Sequence, residues 1–352
     1  MKSLHGLFIL LILAGACSTL RKETVKPCFP EKEWSRAEPG KSELDTKVLY
    51  RIDSLMQKAR ANGVVIHNGK LAAEWNYGGK ADQLFEVQSI TKTITGVVMG
   101  LALQDGLISD LDAKVIDYYP GFDAGPYTRE ITFRHLLNAS SGIKSTITRG
   151  RYYDPDYMKP GIESRYHNDH CHQLATALTY IYCKDLGEVL KERVLIPLQT
   201  QDSIRWSHHN SVVTCANGNQ VKVVGGYAFS HWSARDLARI GYLYLNNGKW
   251  KGEQILPLEY TTEARMPIQI PVMSTSPDAL PGQQSGTKYG LAWRGKPGDE
   301  GKTLWYMSGN GGQFCVVIPE YNLVMTKINS YKEKPYTEIG QFEKLLWDIL
   351  KK

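Results

Sequence analysis

The chain has 352 residues, of which 42% are hydrophobic and 22% charged, and its formal net charge is +6. This composition excludes a disordered, collagen-like or coiled-coil chain, and the length predicts two lobes or one large mixed domain. No run of five or more like charges concentrates the positive charge, so no nucleic-acid partner is indicated. Small molecules or cell-wall material are the expected partners.

The first 16 residues have the pattern of a secretory signal peptide. Lys2 precedes an apolar stretch at 7–13 that is too short to span a bilayer and ends in small residues suited to cleavage. Cys17 follows directly and is a candidate for lipid modification. Residues 17–45 are polar and proline-containing, which predicts a tether. We therefore expect an exported protein, either periplasmic or attached to a membrane through a lipidated Cys17, whose folded domain spans 46–352.

The folded domain begins with a predicted β-hairpin. Its strands cover 64–67 and 70–75, and the dipeptide Asn68-Gly69 between them is typical of a two-residue turn. A helix is then predicted over 89–104, ending before Gly106. From Gly96 onward this helix is apolar on every side, which predicts a central, buried position.

Shorter helices separated by proline and glycine follow from about 108 to 224, with the clearest candidates at 132–138, 172–183 and 186–194. A capping box at 233–236 predicts another helix, which stops at Asn247-Gly248. After a loop at 267–287, strands are predicted at 289–293, 304–307, 313–318 and 323–329, and a last helix at 337–350.

This order of elements predicts an α+β fold in which both ends of the chain share one mainly antiparallel sheet flanked by helices. The predicted α/β lobe comprises 46–107 and 225–352. An all-helical lobe over 108–224 is inserted between the two parts.

Ser89 and Lys92 form an S-x-x-K motif at the start of the buried helix. Positions three apart share a helix face, so the lysine amine can lie against the serine hydroxyl. A serine hydroxyl is a poor nucleophile until a base takes its proton, and Lys92 is a candidate for that step. The same spacing at Ser141 and Ser285 falls in loops. Gly96 and Gly100 lie on the same stripe as Lys92 and leave room for another backbone to approach.

Two further segments carry residues suited to acyl transfer. In Tyr166-His-Asn168, a phenol held near a lysine ammonium shifts toward phenolate and can act as base and acid, while Asn168 can hold Lys92 or a substrate carbonyl. At 306–313 a predicted strand runs into glycines, which suits a backbone near a ligand. The N–H groups of Asn310 and Ser89 could form an oxyanion hole, although a β-bulge or hairpin turn would also explain these glycines.

Other motifs point to no cofactor. The histidines at 167, 170 and 172 lack the spacing of a metal site, so loop and groove histidines are the simpler interpretation, and no metal is predicted. His208 and His209 indicate only a polar loop. Of the six cysteines most are expected to be buried small hydrophobic residues, and lipidation of Cys17 would leave an odd number.

Six landmarks occur in one order along the chain: 85–92 (Phe-Glu-Val-Gln-Ser-Ile-Thr-Lys), 135–142 (His-Leu-Leu-Asn-Ala-Ser-Ser-Gly), Pro160-Gly161 leading to Tyr166-His-Asn168, 233–239 (Ser-Ala-Arg-Asp-Leu-Ala-Arg), 289–293 (Tyr-Gly-Leu-Ala-Trp) and 309–313 (Gly-Asn-Gly-Gly-Gln). Over roughly 50–350 the chain thereby resembles the β-lactamase-related serine hydrolases. This group contains class C β-lactamases, penicillin-binding DD-peptidases, esterases and 6-aminohexanoate-dimer hydrolases. The 309–313 run and the surroundings of Trp206 look most similar to the last branch.

The resemblance implies that Ser89 is the nucleophile, Lys92 its partner and Tyr166 the general base. Asn168 would complete the second motif. By the same resemblance, Ser308, Gly309 and Asn310 belong to the substrate-binding third motif, and the site lies in a groove between the lobes.

Met307 departs from the family pattern, because members that bind carboxylate-bearing substrates usually have Lys or His at this position. A methionine cannot pair with a carboxylate. An esterase or amidase acting on a small-molecule or peptide substrate is therefore favoured over a β-lactamase or DD-carboxypeptidase. The alternative is a catalytically silent penicillin-binding-like domain that binds cell-wall material or a protein partner.

Overall fold

The computed structural model describes residues 27–38, 43–146, 157–274, 283–298, 301–332 and 337–350. Within these ranges the α-helices are α1 (Thr46–Lys58), α2 (Ile90–Gln104), α3 (Val115–Tyr118), α4 (Phe133–Leu137), α5 (Asp169–Tyr182), α6 (Leu186–Leu190), α7 (Ala234–Leu245), α8 (Leu258–Glu263) and α9 (Ile339–Trp347). The strands are β1 (Asn62–His67), β2 (Lys70–Asn76), β3 (Phe85–Glu86), β4 (Arg205–Trp206), β5 (His208–Thr214), β6 (Gln220–Val224), β7 (Ser230–Trp232), β8 (Lys249–Trp250), β9 (Glu253–Gln254), β10 (Lys288–Tyr289), β11 (Arg294–Pro297), β12 (Thr303–Gly309), β13 (Gln313–Ile318) and β14 (Leu323–Ile328).

Both ends of the chain contribute to one seven-stranded sheet, in the order β10-β11-β12-β13-β14-β1-β2. Every neighbouring pair is antiparallel. The predicted hairpin is confirmed, since Asn68 and Gly69 both adopt the positive φ that a tight two-residue turn requires. The predicted α+β fold with a mainly antiparallel sheet is therefore confirmed.

Helices cover both faces of the sheet because its strands are apolar on both sides. All residues of β13 and β14 are buried. One face packs against α1 and α9 through residues such as Met56 and Phe342. The other packs against α7, and α2 lies between β12 and the middle helices α5 and α6. Helix α2 is thus packed between the sheet and the helices of the middle segment.

Helix α2 is buried all round, as predicted: every residue at 90–102 is buried. The neighbour that its glycines admit is a side chain, however, and not another backbone. A Cβ atom on Gly100 would lie 2.8 Å from the Tyr260 ring, and the Tyr260 hydroxyl donates a hydrogen bond to the Gly96 carbonyl. The two glycines therefore make room for an aromatic ring of α8.

The middle segment carries α4, α5 and α6 at the three predicted places, together with the short helix α3. It is not all-helical as expected, because β4 and an antiparallel hairpin of β5 and β6 also lie in it. The expectation that His208 and His209 lie in a polar loop is wrong, since both belong to β5. Exposed and half-buried side chains alternate along most of this strand. Because most residues of this strand are polar, the alternation in burial does not produce a hydrophobic periodicity in the sequence. The boundaries proposed for the two lobes stay a prediction.

Part of the predicted tether packs on the folded body. Trp34 is 5% exposed and its indole donates a hydrogen bond to the Arg235 carbonyl. Arg239, buried in α7, donates hydrogen bonds to the backbone carbonyls of Glu31 and Lys32. Residues 28–34 therefore form a strap along α7, which the polar composition of this stretch does not reveal. The predicted signal peptide and Cys17 lie outside the described residues.

The strand predicted at 289–293 is interrupted. Lys288 and Tyr289 form β10, the chain then turns with the Gly290 N–H donating to the Trp293 carbonyl, and β11 starts at Arg294. Ala292 in this turn has a φ of 59°. Glycine at the second position of the motif was the available signal for a turn.

The described cysteines separate into two groups. Cys183, at the end of α5, forms a disulfide with Cys215, just after β5, so the default expectation of buried thiols is wrong for this pair. Cys28, Cys171 and Cys315 are free, and the last two are buried as small hydrophobic residues. Among the helices that the structure describes, none is both long enough and apolar enough to cross a membrane.

Candidate active site

The S-x-x-K motif lies at a strained turn into α2. Gln88 has a φ of 53°, which is costly for a residue other than glycine and is often retained where a reactive side chain must be aimed. Ser89 follows at the N-cap position, yet its side chain makes no capping hydrogen bond. Its hydroxyl instead accepts a hydrogen bond from Lys92 Nζ at 2.9 Å. The Ser89 oxygen is therefore held by the lysine and not by the helix backbone.

Lys92 is 2% exposed, and three acceptors surround its amine. Besides the Ser89 hydroxyl, Nζ donates to Asn168 Oδ1 at 2.7 Å and to the Tyr227 carbonyl at 3.3 Å. These acceptors compensate for the loss of water around the buried amine. The buried amine is thus fixed beside Ser89 by groups from three separate segments.

Tyr166 lies against the same pair. Lys92 Nζ is 4.8 Å from the centroid of its ring, and the phenol is within hydrogen-bonding reach of the Ser89 and Lys92 side chains. Tyr289 packs edge-on against the ring, with centroids 6.1 Å apart. Ser89, Lys92, Tyr166 and Asn168, all singled out from the sequence, are thereby brought together in one place.

The electrostatic surroundings of Tyr166 favour the phenolate. Burial by itself raises the pKa of Tyr166, but the positive charges of Lys92 and Arg294, with hydrogen bonds from Ser89 and Lys92, outweigh it and hold the pKa below the ordinary tyrosine value. Burial raises the pKa of the neighbouring Tyr289 well above that value. The pKa values of the two adjacent phenols are thus shifted in opposite directions. Tyr166, whose pKa is lowered, is the one suited to exchange a proton.

Arg294 is a site residue that the sequence analysis missed. Its guanidinium carbon lies 4.3 Å from the centroid of the Tyr166 ring, and its side chain hydrogen-bonds to Tyr166. Burial by itself lowers the pKa of Arg294, but the charge of the Tyr166 phenolate leads to a net rise. The residue escaped notice because β11 starts at this position, directly after a turn that had been predicted as strand.

The loop that carries Tyr166 is held by buried polar contacts. His170 Nε2 donates to the Arg165 carbonyl at 2.8 Å, and His170 Nδ1 therefore accepts from the Ser141 hydroxyl at 2.7 Å. Burial, followed by the neighbouring His167, holds the pKa of His170 well below the ordinary value. His167 lies in the loop, as expected, whereas His170 belongs to α5, and both side chains are buried. His170 thereby holds the backbone next to Tyr166.

The third motif forms the hairpin turn between β12 and β13, with Gly309 paired to Gln313. The glycines of this motif therefore form a hairpin turn, one of the two alternatives to an oxyanion hole that the sequence left open. A Cβ atom on Gly309 would lie 2.3 Å from the Val87 carbonyl oxygen. Gln313 Nε2 also donates to the Glu86 carbonyl at 3.0 Å. Ser308, Gly309 and Asn310 thus lie beside the segment that leads into Ser89.

Met307, which replaces the basic residue of the family pattern, is completely buried in the core shared with α2. It offers no charge to a substrate. Within the described parts of the chain, no group of three or more His, Cys, Asp or Glu side chains is arranged to hold a metal ion.

A family model described as Beta-lactamase matches residues 51–336. The chain therefore belongs to the β-lactamase family, a family of serine hydrolases. A curated relative, an uncharacterized protein of Alkalihalophilus pseudofirmus, is 24% identical and is matched over 82% of this chain and 90% of its own length.

Solved structures share the fold. A proposed 6-aminohexanoate-dimer hydrolase from Bacillus anthracis is 21% identical, with a TM-score of 0.63 over 84% of this chain and 80% of that chain. A D-stereospecific amidohydrolase from Streptomyces is 19% identical, with a TM-score of 0.58 over 84% of this chain and 96% of that chain. A β-lactamase/D-alanine carboxypeptidase from Pseudomonas syringae is 17% identical, with a TM-score of 0.62 over 87% of this chain and 98% of that chain.

Proposed function

We propose that the protein is a serine hydrolase that cleaves an ester or an amide through an acyl-enzyme on Ser89. The observation that carries the proposal is the double contact of the Ser89 hydroxyl, with the Lys92 amine at 2.9 Å and with the Tyr166 phenol. A nucleophile within hydrogen-bonding reach of its base is the signature of covalent catalysis. A protein that only binds needs no such base.

In the proposed reaction the Tyr166 phenolate takes the Ser89 proton as the hydroxyl oxygen attacks the substrate carbonyl carbon. The N–H groups of Ser89 and Asn310 stabilise the oxyanion of the tetrahedral intermediate. When that intermediate collapses, the bond to the leaving group breaks and Tyr166 returns the proton to the leaving oxygen or nitrogen. Water then attacks the acyl-enzyme with Tyr166 as base, which releases the acid and restores Ser89. Lys92, hydrogen-bonded to the Ser89 hydroxyl, is the second proton-transfer group, and its charge favours the phenolate form of Tyr166.

The substrate is proposed to be a small-molecule or peptide ester or amide without a carboxylate at the position facing the third motif. Met307 is apolar and 0% exposed, so this residue supplies no cation to a substrate. The solved structures that share the fold include an amidohydrolase and a 6-aminohexanoate-dimer hydrolase as well as a β-lactamase/D-alanine carboxypeptidase. Met307 favours the amide-cleaving class for this chain.

Export is part of the proposal, with residues 1–16 as signal peptide and Cys17 as a possible lipid-attachment site. The disulfide between Cys183 and Cys215 supports it, since disulfides persist in oxidising compartments. Intact-mass and membrane-fraction measurements on the protein from its native cells test this part.

The catalytic proposal is tested with a fluorophosphonate probe and a substrate panel of short esters, a linear amide, a penicillin-type lactam and a D-Ala-D-Ala peptide. We expect covalent labelling of Ser89, located by peptide mass, and turnover of an ester or the amide. Folded protein that is neither labelled nor active on the panel would support the silent binding domain instead.

The pH dependence of turnover should depend on Arg294. A base acts only when deprotonated, so activity is present above the pKa of Tyr166 and is lost as the pH falls through it. Because the Arg294 charge lowers this pKa, Arg294→Gln should move the acid limb of the kcat/KM profile to higher pH. Lys296→Gln, on the same strand and paired with Glu343, is the matched control and should leave the limb in place. An unmoved limb in Arg294→Gln would contradict this role.

A further inference from the structure

Lys327 is a buried amine that the proposed reaction does not use. It lies on β14 and is 0% exposed, although a buried lysine is costly unless its charge is compensated. Nζ donates to the Gly312 carbonyl at 2.9 Å and to Asn329 Oδ1 at 2.9 Å. Both acceptors are neutral, so Lys327 forms no simple ion pair with the residues that the structure describes.

Gly312 belongs to the turn at 310–312, which joins β12 to β13. Gly311 and Gly312 have φ values of 84° and 70°, and glycines in this region have more conformational freedom than other residues. The carbonyl of Asn310, at the other end of the turn, accepts from Gln313 Nε2 at 3.1 Å. Polar side chains therefore hold both ends of a turn whose own sequence does not stiffen it.

The two contacts belong to one network. Asn329 accepts from Lys327 through its side chain and donates through its backbone N–H to Gln313 Oε1 at 3.4 Å. Gln313 in turn donates to the Glu86 carbonyl, three residues before Ser89. The network thus connects the ammonium of Lys327 to the turn and to the segment that carries the nucleophile.

We propose that Lys327 is a positioning residue that holds the 310–312 turn in the geometry needed for the Asn310 N–H to stabilise the oxyanion. This inference rests on the proposed acyl-enzyme mechanism. Lys327 contacts the turn from β14, and its hydrogen bonds go to Gly312 and Asn329 and not to Ser89 or Tyr166.

The charge state of Lys327 gives the role a measurable signature. Burial lowers the pKa of Lys327 to about 8, opposed by Glu338 at the start of α9. Above that pH the charge-assisted hydrogen bonds to Gly312 and Asn329 become weaker neutral ones. Because the unfolded chain retains the proton up to about 10.4, this group adds stability as the pH rises from about 8. Its deprotonation should therefore reduce activity without unfolding the protein.

The test compares kcat, KM and thermal unfolding from pH 6 to 10 for the full-length protein with p-nitrophenyl acetate. In Lys327→Met we expect kcat at pH 7 to fall about tenfold or more, because a misplaced oxyanion donor loses much of its effect. KM should change little and the alkaline step near the Lys327 pKa should vanish. The melting temperature should change little, since relief of the desolvation cost of the buried amine offsets the loss of its two hydrogen bonds. Ile328→Val, the next residue of β14, is the control and should behave as wild type.

Asn329→Asp is a second variant, which tests the positioning role of Lys327 even if Lys327→Met does not fold. A carboxylate at this position would keep the ammonium charged, so the alkaline step should move up by about one pH unit or more. A kcat and pH profile equal to wild type in Lys327→Met, or an unmoved step in Asn329→Asp, would overturn the positioning role while wild-type turnover upholds the acyl-enzyme mechanism. A folded wild-type protein without any turnover contradicts both.

Discussion

Ser89→Ala should reduce turnover of p-nitrophenyl acetate by at least about 10⁴-fold, because removal of the nucleophile from a serine hydrolase eliminates the acyl-enzyme route. Labelling by a fluorophosphonate should disappear as well. The fold should remain intact. The Ser89 side chain makes no helix-capping contact, and Lys92 Nζ keeps its hydrogen bonds to Asn168 and Tyr227.

The matched control is Ser285→Ala, since Ser285 and Lys288 repeat the S-x-x-K spacing outside the site. This variant should retain wild-type activity. Thermal unfolding of both variants distinguishes loss of chemistry from loss of structure. Persistent labelling of folded Ser89→Ala at another residue would show that the nucleophile had been assigned wrongly.

Lys92→Ala should lower kcat/KM for the same ester by about 10² to 10⁴, the usual range for a positioned proton-transfer group. The variant removes the hydrogen bond to the Ser89 hydroxyl and a positive charge that lowers the pKa of Tyr166. Residual activity should therefore require higher pH than in the wild type. Measurement of the full pH profile separates this shift from a uniform loss.

Because Lys92 is buried, truncation to alanine leaves a cavity that destabilises the fold. Lys92→Met fills most of that space and serves as the second variant. Lys288→Ala, at the equivalent position of the second S-x-x-K, is the control. Wild-type turnover in folded Lys92→Met would defeat the proposed role of the amine.

Local patterns were sufficient for the elements that surround the nucleophile. The Asn68-Gly69 hairpin and helix α2 each follow from residues adjacent in the chain, namely turn glycines and apolar periodicity. The contact between the serine and the lysine of the S-x-x-K motif could be predicted for the same reason, since residues three apart lie on the same face of any helix. Recognition of Tyr166 and Asn168 needed the order of several motifs, because nothing in their own tripeptide distinguishes it from the Tyr-x-Asn at 244–246.

Other features depend on residues that are distant in the chain. The position of Arg294 over Tyr166, the disulfide between Cys183 and Cys215, and the packing of Trp34 on α7 each join segments whose local sequences carry no mark of the other. Secondary-structure propensity and hydrophobic periodicity predict the structure of one segment without reference to the segments that pack against it. Which residue lies next to a charged group or an aromatic ring depends on the tertiary structure.

The sequence by itself determined the α+β fold class and the reactive serine–lysine pair, because both arise from short-range regularities that survive in almost any tertiary context. Only the tertiary structure decided which cations surround the Tyr166 phenol and what holds the 310–312 turn. Electrostatic effects on a buried group depend on distance and desolvation, and both quantities exist only once the chain has folded.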